Sequence, residues 1–290
     1  MKLLLKFNLI LVVLILIGLA VVSHIAHSFL IDNARAQVLQ QAELMMESAS
    51  SMRKYTSEEL KPLLVENPHY NIEFLPQVVP AYGATVTFAR LREKFPEYTY
   101  KEATLNPTNL QDRAVDWETD VIENFRNNPQ QKELTGERAT PTGMSIFLAH
   151  PIIAEKSCME CHSVPSAAPQ AMIEKYGTTN GFGWKLNDVV AAQIISVPTA
   201  IPVKIATRAF ATLMWSLTGA FAAILLAVNL TLYFIIIRPV RNLSRVADQV
   251  SLGQAEATEI PVRGNDEIAE LTRACNRLFV TVAKALRMLG

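Results

Sequence analysis

Two long segments without a charged side chain limit what this chain can fold into. Residues 7–31 and residues 209–237 contain no Asp, Glu, Lys or Arg, and most of their residues are aliphatic or aromatic. Each segment exceeds the ~20 residues that an α-helix needs to cross the hydrocarbon core of a bilayer. The sequence therefore predicts two membrane-spanning helices. The formal net charge of the whole chain is zero, which disfavours a nucleic-acid partner.

The first segment has an alternative interpretation as a cleaved signal peptide. Lys2 and Lys6 would form its basic start, and Ala34-Arg35-Ala36 would be a small-residue cleavage site. The apolar stretch is longer than the ~7–15 residues usual for the core of a signal peptide, which favours an uncleaved anchor.

Basic residues flank both segments on the same side of the membrane. Lys2 and Lys6 precede the first segment, and the second is followed by Arg238, Arg241 and Arg245. Because Lys and Arg are enriched in cytoplasmic flanks, both chain ends are predicted to be cytoplasmic. We expect a protein of the inner (plasma) membrane, with its central region in the periplasm.

These boundaries divide the chain into four predicted regions. Residues 1–31 form the N-terminal transmembrane anchor, and residues 32–208 form an extracytoplasmic domain. Residues 209–237 form the second transmembrane helix, and residues 238–290 form a cytoplasmic helical domain.

The run Cys158-Met159-Glu160-Cys161-His162 lies in the extracytoplasmic domain. C-x-x-C-H is the attachment signature of c-type haem. Two thiols three positions apart bond to the two vinyl groups of one porphyrin, and the histidine that follows binds the iron. The motif predicts one covalent haem c on Cys158 and Cys161, with His162 as an axial iron ligand.

Two other uses of the cysteine pair stay open. A thiol–disulfide redox pair needs only the two cysteines. A structural zinc site needs four ligands. The third cysteine, Cys275, lies beyond the second membrane segment, which leaves His162, His69 or His150 to complete such a site.

The other axial position of the iron has several candidate ligands. Met144 and His150 lie just upstream of the motif and come first, ahead of Met159 and Met172. A five-coordinate iron is the alternative, and it would suit gas binding. Candidate side chains around the porphyrin are Trp184, Phe182, Tyr100 and Trp117 against its faces, and Lys101 and Lys185 beside its propionates.

Hydrophobic periodicity in the extracytoplasmic domain predicts an α+β core. Residues 31–52 carry an apolar stripe at three- and four-residue steps, typical of a helix continuous with the first anchor. Strands are predicted at residues 98–104, 145–153 and 191–197, and helices at residues 82–93, after Asn106, and between Pro169 and Gly177. Helices around a small antiparallel sheet, with a membrane helix at each end, are the layout of a PAS-like sensor domain.

Two heptad stripes follow the second membrane segment. The first comprises Val240, Leu243, Ala247 and Val250, in phase with Ile236, and the second comprises Ile268, Leu271, Cys275, Leu278, Val282, Ala285 and Leu289. Two short amphipathic helices cannot bury such stripes alone, so we expect them to pair across a homodimer.

The C-terminal region also carries a recognisable set of short motifs. They are Arg238-Pro239-Val240 after a membrane helix, the connector residues Ile260-Pro261, and Asp266-Glu267-Ile268 at the start of the second heptad helix. Together they resemble a HAMP domain, a helical bundle that here would run from about residue 237 to the end.

A second resemblance rests on motifs spread over most of residues 75–200. They are Tyr100-Lys101-Glu102-Ala103-Thr104-Leu105-Asn106-Pro107-Thr108-Asn109, the C-x-x-C-H run, Tyr176-Gly177, and Gly181-Phe182-Gly183-Trp184-Lys185-Leu186-Asn187. With these motifs the domain resembles the Tll0287-like family of haem-binding PAS-like domains. The resemblance implies covalent haem c, a PAS-like sheet and a role in signalling.

These patterns favour a membrane-bound haem sensor of redox state or of a small gas. The alternative is a membrane-anchored c-type cytochrome in electron transfer, which would not need a cytoplasmic two-helix relay. No nucleophile–base pair, P-loop or dinucleotide fingerprint marks an active site, so we expect no enzymatic activity. Chains of this type usually continue into an output module, whereas this sequence ends at Gly290. The expected partner is therefore a separate cytoplasmic output protein, such as a histidine kinase or a cyclase.

Overall fold

The computed structural model describes residues 3–66, 72–141, 143–252, 259–262 and 264–289, with side chains described up to Val282 in the last of these. The chain divides into two compact units. One unit comprises His24–Ala211, and the other comprises Met1–Ser23 together with Thr212–Gly290.

The first unit is built around a four-stranded antiparallel sheet. Its strands are β1 (Thr99–Thr104), β2 (Leu134–Thr140), β3 (Gly143–Ile153) and β4 (Val189–Pro198), in the spatial order β1-β4-β3-β2. In the centre of the sheet, Ile195 of β4 pairs with Tyr100 of β1 and with Leu148 of β3. Strand β4 is buried along almost its whole length because helices cover both faces of the sheet.

Helices from different parts of the chain cover the two faces. On one face, α1 (Leu3–Tyr55) and α3 (Pro80–Arg92) pack against Tyr100, Leu148 and Ile195. On the other face, α4 (Asp116–Asn127) buries its apolar side chains Val121, Ile122 and Phe125 against β1, β3 and β4. The described part of this unit also contains three short α-helices: α2 (Lys61–Val65), α5 (Lys156–His162) and α6 (Gln170–Tyr176).

The α1 stripe predicted from the sequence is confirmed in its position. Ala34, Val38, Ala42 and Ala49 are buried. The predicted stripe members Met45 and Met52 are partly buried against the same core cluster, and the fully buried Met46 lies outside the predicted stripe. After Tyr55 the helix passes through a π-helical turn, Thr56–Leu60, before α2 begins. The strands predicted at residues 98–104, 145–153 and 191–197 are also confirmed, whereas β2 was missed.

The second unit contains long helices with exposed apolar surfaces. Helix α7 (Ala200–Thr231) passes through a π-helical turn, Leu232–Ile237, into α8 (Arg238–Ser251). The apolar parts of α1 and α7 are long enough to cross a membrane, and their most apolar windows have no buried residue. Within this unit the two helices meet at Asn8 and Asn229, whose side-chain amides exchange hydrogen bonds of 2.7 and 2.8 Å.

Helix α9 (Glu267–Leu289) packs against α8 in the C-terminal part of this unit. The buried apolar side chains are Leu243 and Val250 on α8, and Ala269 and Phe279 on α9. The α9 stripe predicted from the sequence is different: Leu271 and Leu278 are 45% and 60% exposed. The other described members of the predicted stripe, Ile268, Cys275 and Val282, are half-buried, so the α9 face that packs on α8 lies beside the predicted stripe and overlaps it only in part. The side chains of the predicted stripe members Ala285 and Leu289 lie outside the described residues.

Candidate haem site

Helix α5 presents the three residues of the C-x-x-C-H motif on one side. Residues three and four positions apart share a face of an α-helix, so Cys158, Cys161 and His162 point the same way. Both cysteines are free thiols and half-buried. The backbone N–H of Glu155 donates to Cys158 Sγ at 3.4 Å at the start of the helix. This arrangement matches what two thioether bonds to one porphyrin require.

The His162 ring is held by a backbone carbonyl and an indole. Its Nδ1 donates to the carbonyl oxygen of Gly181 at 2.7 Å, with Thr108 Oγ1 at 3.5 Å from the same nitrogen. The ring also stacks on Trp184, with centroids 4.1 Å apart and planes 12° from parallel. Because Nδ1 carries the proton in this hydrogen bond, the lone pair is on Nε2, the nitrogen left for a metal.

Burial favours the form of His162 that binds metals. Desolvation lowers the pKa of His162, and its hydrogen bond to Gly181 opposes this effect only in part. The neutral imidazole is therefore favoured, and neutral imidazole is the metal-binding form.

The turn that follows β1 holds the loop that carries Gly181. Asn106 Oδ1 accepts from the Gly181 N–H at 3.1 Å, and Asn106 Nδ2 donates to the Phe182 carbonyl at 3.2 Å. The same loop closes onto α5, because the backbone N–H of Trp184 donates to the backbone carbonyl of His162 at 3.2 Å. Two of the four motifs on which the family resemblance rested, residues 100–109 and residues 181–187, thus meet at His162. Sequence reasoning did not assign these supporting roles, although the motif residues were the available signal.

An apolar cluster adjoins Cys161. Its buried members are Phe74, Ala171 and Met172, and its partly buried members are Val79, Cys161, Ala168, Tyr176 and Phe182. Burial raises the pKa of the Cys161 thiol, with a smaller opposing effect from Lys61. An apolar wall beside the thiols fits the faces of a porphyrin. Of the four candidate sixth ligands, Met172 is the one that shares this cluster with Cys161.

The two preferred candidates for the sixth ligand lie elsewhere on β3. At ~3.3 Å per residue, Met144 is roughly 30 Å along the strand from Ile153, and His150 is roughly 10 Å from it. Met144 is 46% exposed. His150 Nε2 is 3.4 Å from Glu133 Oε2. The strand direction therefore places Met144 at the end of β3 that is remote from α5.

Several other candidate side chains have partners outside this site. Tyr100 belongs to the core cluster under α1, and Trp117 to the cluster under α4, where the Arg138 guanidinium lies 4.0 Å from its ring centroid. Lys101 forms an ion pair with Glu118 at 2.6 Å. Lys185 is exposed. Among the predicted aromatic residues, Trp184 contacts His162 and Phe182 joins the Cys161 cluster.

The zinc alternative finds no support in the described part of the chain. There, no three or more His, Cys, Asp or Glu side chains come together as a metal-ion site. His69, one of the residues considered for it, lies outside the described residues. Of the two candidate histidines that the structure describes, His150 contacts Glu133, and His162 lies on the same helix as the two thiols.

The site and the fold define a class of protein: an α+β domain flanked by two apolar helices and followed by a helical signalling domain. The Tll0287-like family model matches residues 31–198, and the HAMP domain model matches residues 232–281. The chain belongs to the Tll0287-like family and carries a HAMP domain after it. This domain indicates signal relay to a partner and association with a membrane.

Among solved structures, the chain is similar to that of the cyanobacterial heme-protein Tll0287. The two are 14% identical, with a TM-score of 0.44, over 55% of this chain and 94% of that chain. No curated protein matches the chain.

Proposed function

We propose that this protein is a membrane-bound c-type haem sensor that relays redox state or the binding of a small gas through its HAMP domain. One observation carries the proposal. His162 follows two free thiols on α5 and has its Nδ1 fixed by the Gly181 carbonyl, which leaves Nε2 for an iron. Membership of the Tll0287-like family supports the same assignment.

In this proposal each residue of the site has its own role in holding the haem. Cys158 and Cys161 anchor the porphyrin, His162 binds the iron, and Gly181 and Trp184 fix the ring of His162. When bound, the haem supplies an iron that changes oxidation state or takes up a small gas. The HAMP match favours a sensor over the alternative of a membrane-anchored electron carrier, because a carrier has no use for a relay domain.

Covalent attachment is tested by removing the thiols. The double variant Cys158→Ala/Cys161→Ala should lose haem staining on a denaturing gel. The control Cys275→Ala removes the third cysteine and should keep the stain. His162→Ala should retain some covalent haem but change the optical spectrum, because an axial ligand is missing. Stain that persists in the double variant would contradict the assignment.

The proposed orientation places the first unit in the periplasm and the HAMP domain in the cytoplasm. It rests on the basic residues Lys2, Lys6, Arg238, Arg241 and Arg245. A reporter fused after Gly290 should be active only in the cytoplasm. A reporter inserted between Asn127 and Asn128, where α4 ends, should be active only outside it. Activity of both reporters on one side would refute two spans.

The working unit in this proposal is a homodimer formed by the HAMP helices. Leu271 and Leu278 lie one heptad apart on α9, which is two helical turns, and both are exposed. A second copy of the chain would cover them. Leu271→Asp/Leu278→Asp should abolish crosslinking between two chains and leave the haem spectrum unchanged. The control Ala274→Asp/Thr281→Asp places the same charges at the same spacing on another exposed face and should still crosslink. Equal crosslinking in the two variants would contradict this dimer.

The dimer would pass its signal to a separate cytoplasmic output protein, such as a histidine kinase or a cyclase. A coupling free energy of ~1–3 kcal/mol between the haem state and the HAMP packing is enough for such a relay. The chain itself would then act by binding and relay, without catalysis.

A further inference from the structure

A cavity lies on the α4 side of the sheet, beside the first turn of that helix. Its volume is about 430 Å³, and its lining comes from α3, β1, β4, Arg138 of β2, and the segment from Gln111 to Glu118 that leads into α4. None of the described lining residues belongs to helix α5 or to the cluster beside Cys161. Pockets for small molecules have volumes of roughly 300–1,000 Å³. The cavity is therefore large enough for a small molecule and separate from the candidate haem site.

Two hydroxyl groups face the cavity from the sheet. Lys101 of β1 reaches Glu118 of α4, so Thr99, two residues earlier on the same strand, lies on the α4 side as well. Ser196 of β4 pairs directly with Thr99 and shares that side. Ser196 is 4% exposed, and neither hydroxyl forms a hydrogen bond with another residue in the described part of the chain. A buried hydroxyl without a partner is unfavourable, so a ligand that accepts hydrogen bonds would stabilise these two side chains.

Arg138 adds a positive charge to the cavity. Its guanidinium lies over the Trp117 ring, 4.0 Å from the ring centroid. No carboxylate among the described residues pairs with it, whereas Lys101 of the same cavity pairs with Glu118 at 2.6 Å. A guanidinium over an aromatic ring still presents N–H groups in its own plane, and these match the two oxygens of a carboxylate. The cavity therefore contains a charged donor and two hydroxyl donors for such a group.

The charges of the lining favour a ligand with a single negative charge. Five charged side chains line the cavity: Arg92, Lys101, Asp112, Glu118 and Arg138. Three of them are basic and two are acidic, so the lining carries one net positive charge when all five are ionised. One carboxylate neutralises this charge, whereas a phosphate dianion leaves an excess of negative charge beside the two acidic side chains. Val115, Trp117 and Ile194 add apolar surface, which suits a ligand with an apolar body.

We propose that this cavity binds a small monocarboxylate with an apolar body. Its carboxylate pairs with Arg138 and accepts hydrogen bonds from Thr99 and Ser196, and its body lies against Trp117. The proposal goes beyond the haem function and does not rest on it. Because Ser196 lies near the end of β4 and α7 begins at Ala200, the ligand contacts the strand that leads into the second apolar helix. The domain would thus have a second input besides the haem.

Isothermal titration calorimetry of the full chain in detergent tests the site, with sodium benzoate as the probe. Benzoate should bind saturably, with a Kd of about 1 mM or tighter, in titrations up to about 10 mM at constant ionic strength. Arg138→Met should weaken binding at least about tenfold, because a hydrogen-bonded ion pair is lost. The control Arg126→Met removes an exposed arginine of α4 outside the cavity and should bind benzoate like the parent.

Two further probes and a second variant test the assigned chemistry. Benzamide has nearly the shape of benzoate without its charge and should bind at least about tenfold more weakly. Inorganic phosphate should not compete with benzoate. Should Arg138→Met fail to fold, Ser196→Ala removes one hydroxyl group and should still weaken benzoate binding severalfold. The proposal would be overturned by a lack of saturable benzoate binding, by equal binding of benzamide, or by competition from phosphate. Unchanged binding in the two cavity variants would overturn it as well.

Discussion

The close contact between Gly181 and Thr108 makes a quantitative prediction about the loop that holds His162. Gly181 has φ +85°, and a Cβ added there would lie 2.0 Å from Thr108 Oγ1 and 3.0 Å from Thr108 Cα. The second distance is to backbone, so a change of side-chain rotamer cannot relieve it. Gly181→Ala should therefore push the loop away and weaken the hydrogen bond that the Gly181 carbonyl accepts from His162 Nδ1.

Gly183 provides a matched control for the backbone strain. It has φ +81°, but a Cβ added there meets no atom within 4 Å. Gly183→Ala should cost only the left-handed backbone penalty of about 1–2 kcal/mol. Gly181→Ala should carry the same penalty plus about 1–3 kcal/mol for forcing atoms into occupied space.

Thermal unfolding of the full chain in detergent, followed by circular dichroism, measures the difference. A domain of about 150–250 residues loses roughly 2–4 °C in Tm per kcal/mol, so Gly181→Ala should unfold about 2–12 °C below Gly183→Ala. The haem spectrum should change in Gly181→Ala and not in the control. If the two variants unfolded together with unchanged spectra, the Gly181–Thr108 contact would not be what positions His162.

Two further predictions concern the core and the pH dependence of stability. Ile122→Ala should lower the free energy of unfolding by about 2–5 kcal/mol because the side chain is fully buried. The control Leu110→Ala, at an exposed position, should change it by less than about 0.5 kcal/mol. Denaturant titrations measure both values, and similar losses in the two variants would contradict the assigned core. Burial and the Glu102 charge raise the pKa of Asp112 to about 6. The folded chain then holds this proton more tightly than the unfolded chain, whose Asp pKa is about 3.9. The contribution of Asp112 to stability should therefore fall as the pH rises from about 4 to 6 and level off above that. Asp112→Asn should remove this component from unfolding curves measured across the same pH range, and an unchanged profile would count against it.

The elements that the sequence predicted best have strong hydrophobic patterns. The apolar run at residues 191–197 forms the buried strand β4, and the stripe on α1 follows from its three- and four-residue spacing. Strand β2 was missed because Leu134–Thr140 has one large apolar residue and a glycine, and it lies at the edge of the sheet. Its pairing with β3 depends on tertiary structure, which a local pattern does not encode.

The candidate site shows the same division between local and tertiary information. Cys158, Cys161 and His162 lie in one short C-x-x-C-H run, so their spacing alone predicts their roles. The acceptor for His162 is a backbone carbonyl, at Gly181, so no side chain in the sequence marks it. The predicted role of Lys101 beside a propionate conflicts with its ion pair to Glu118, which forms only when α4 packs on the sheet.

The paired amides of Asn8 and Asn229 limit how the two apolar helices can move against each other. Each amide both donates to and accepts from the other, and Asn229 Nδ2 also donates to the Leu225 carbonyl. One helical turn is a rise of about 5.4 Å, so a slide by one turn would break both hydrogen bonds between the amides. Within a bilayer such bonds contribute about 0.6–2 kcal/mol each, and no water replaces them. The pair therefore holds these two helices in one register along their axes.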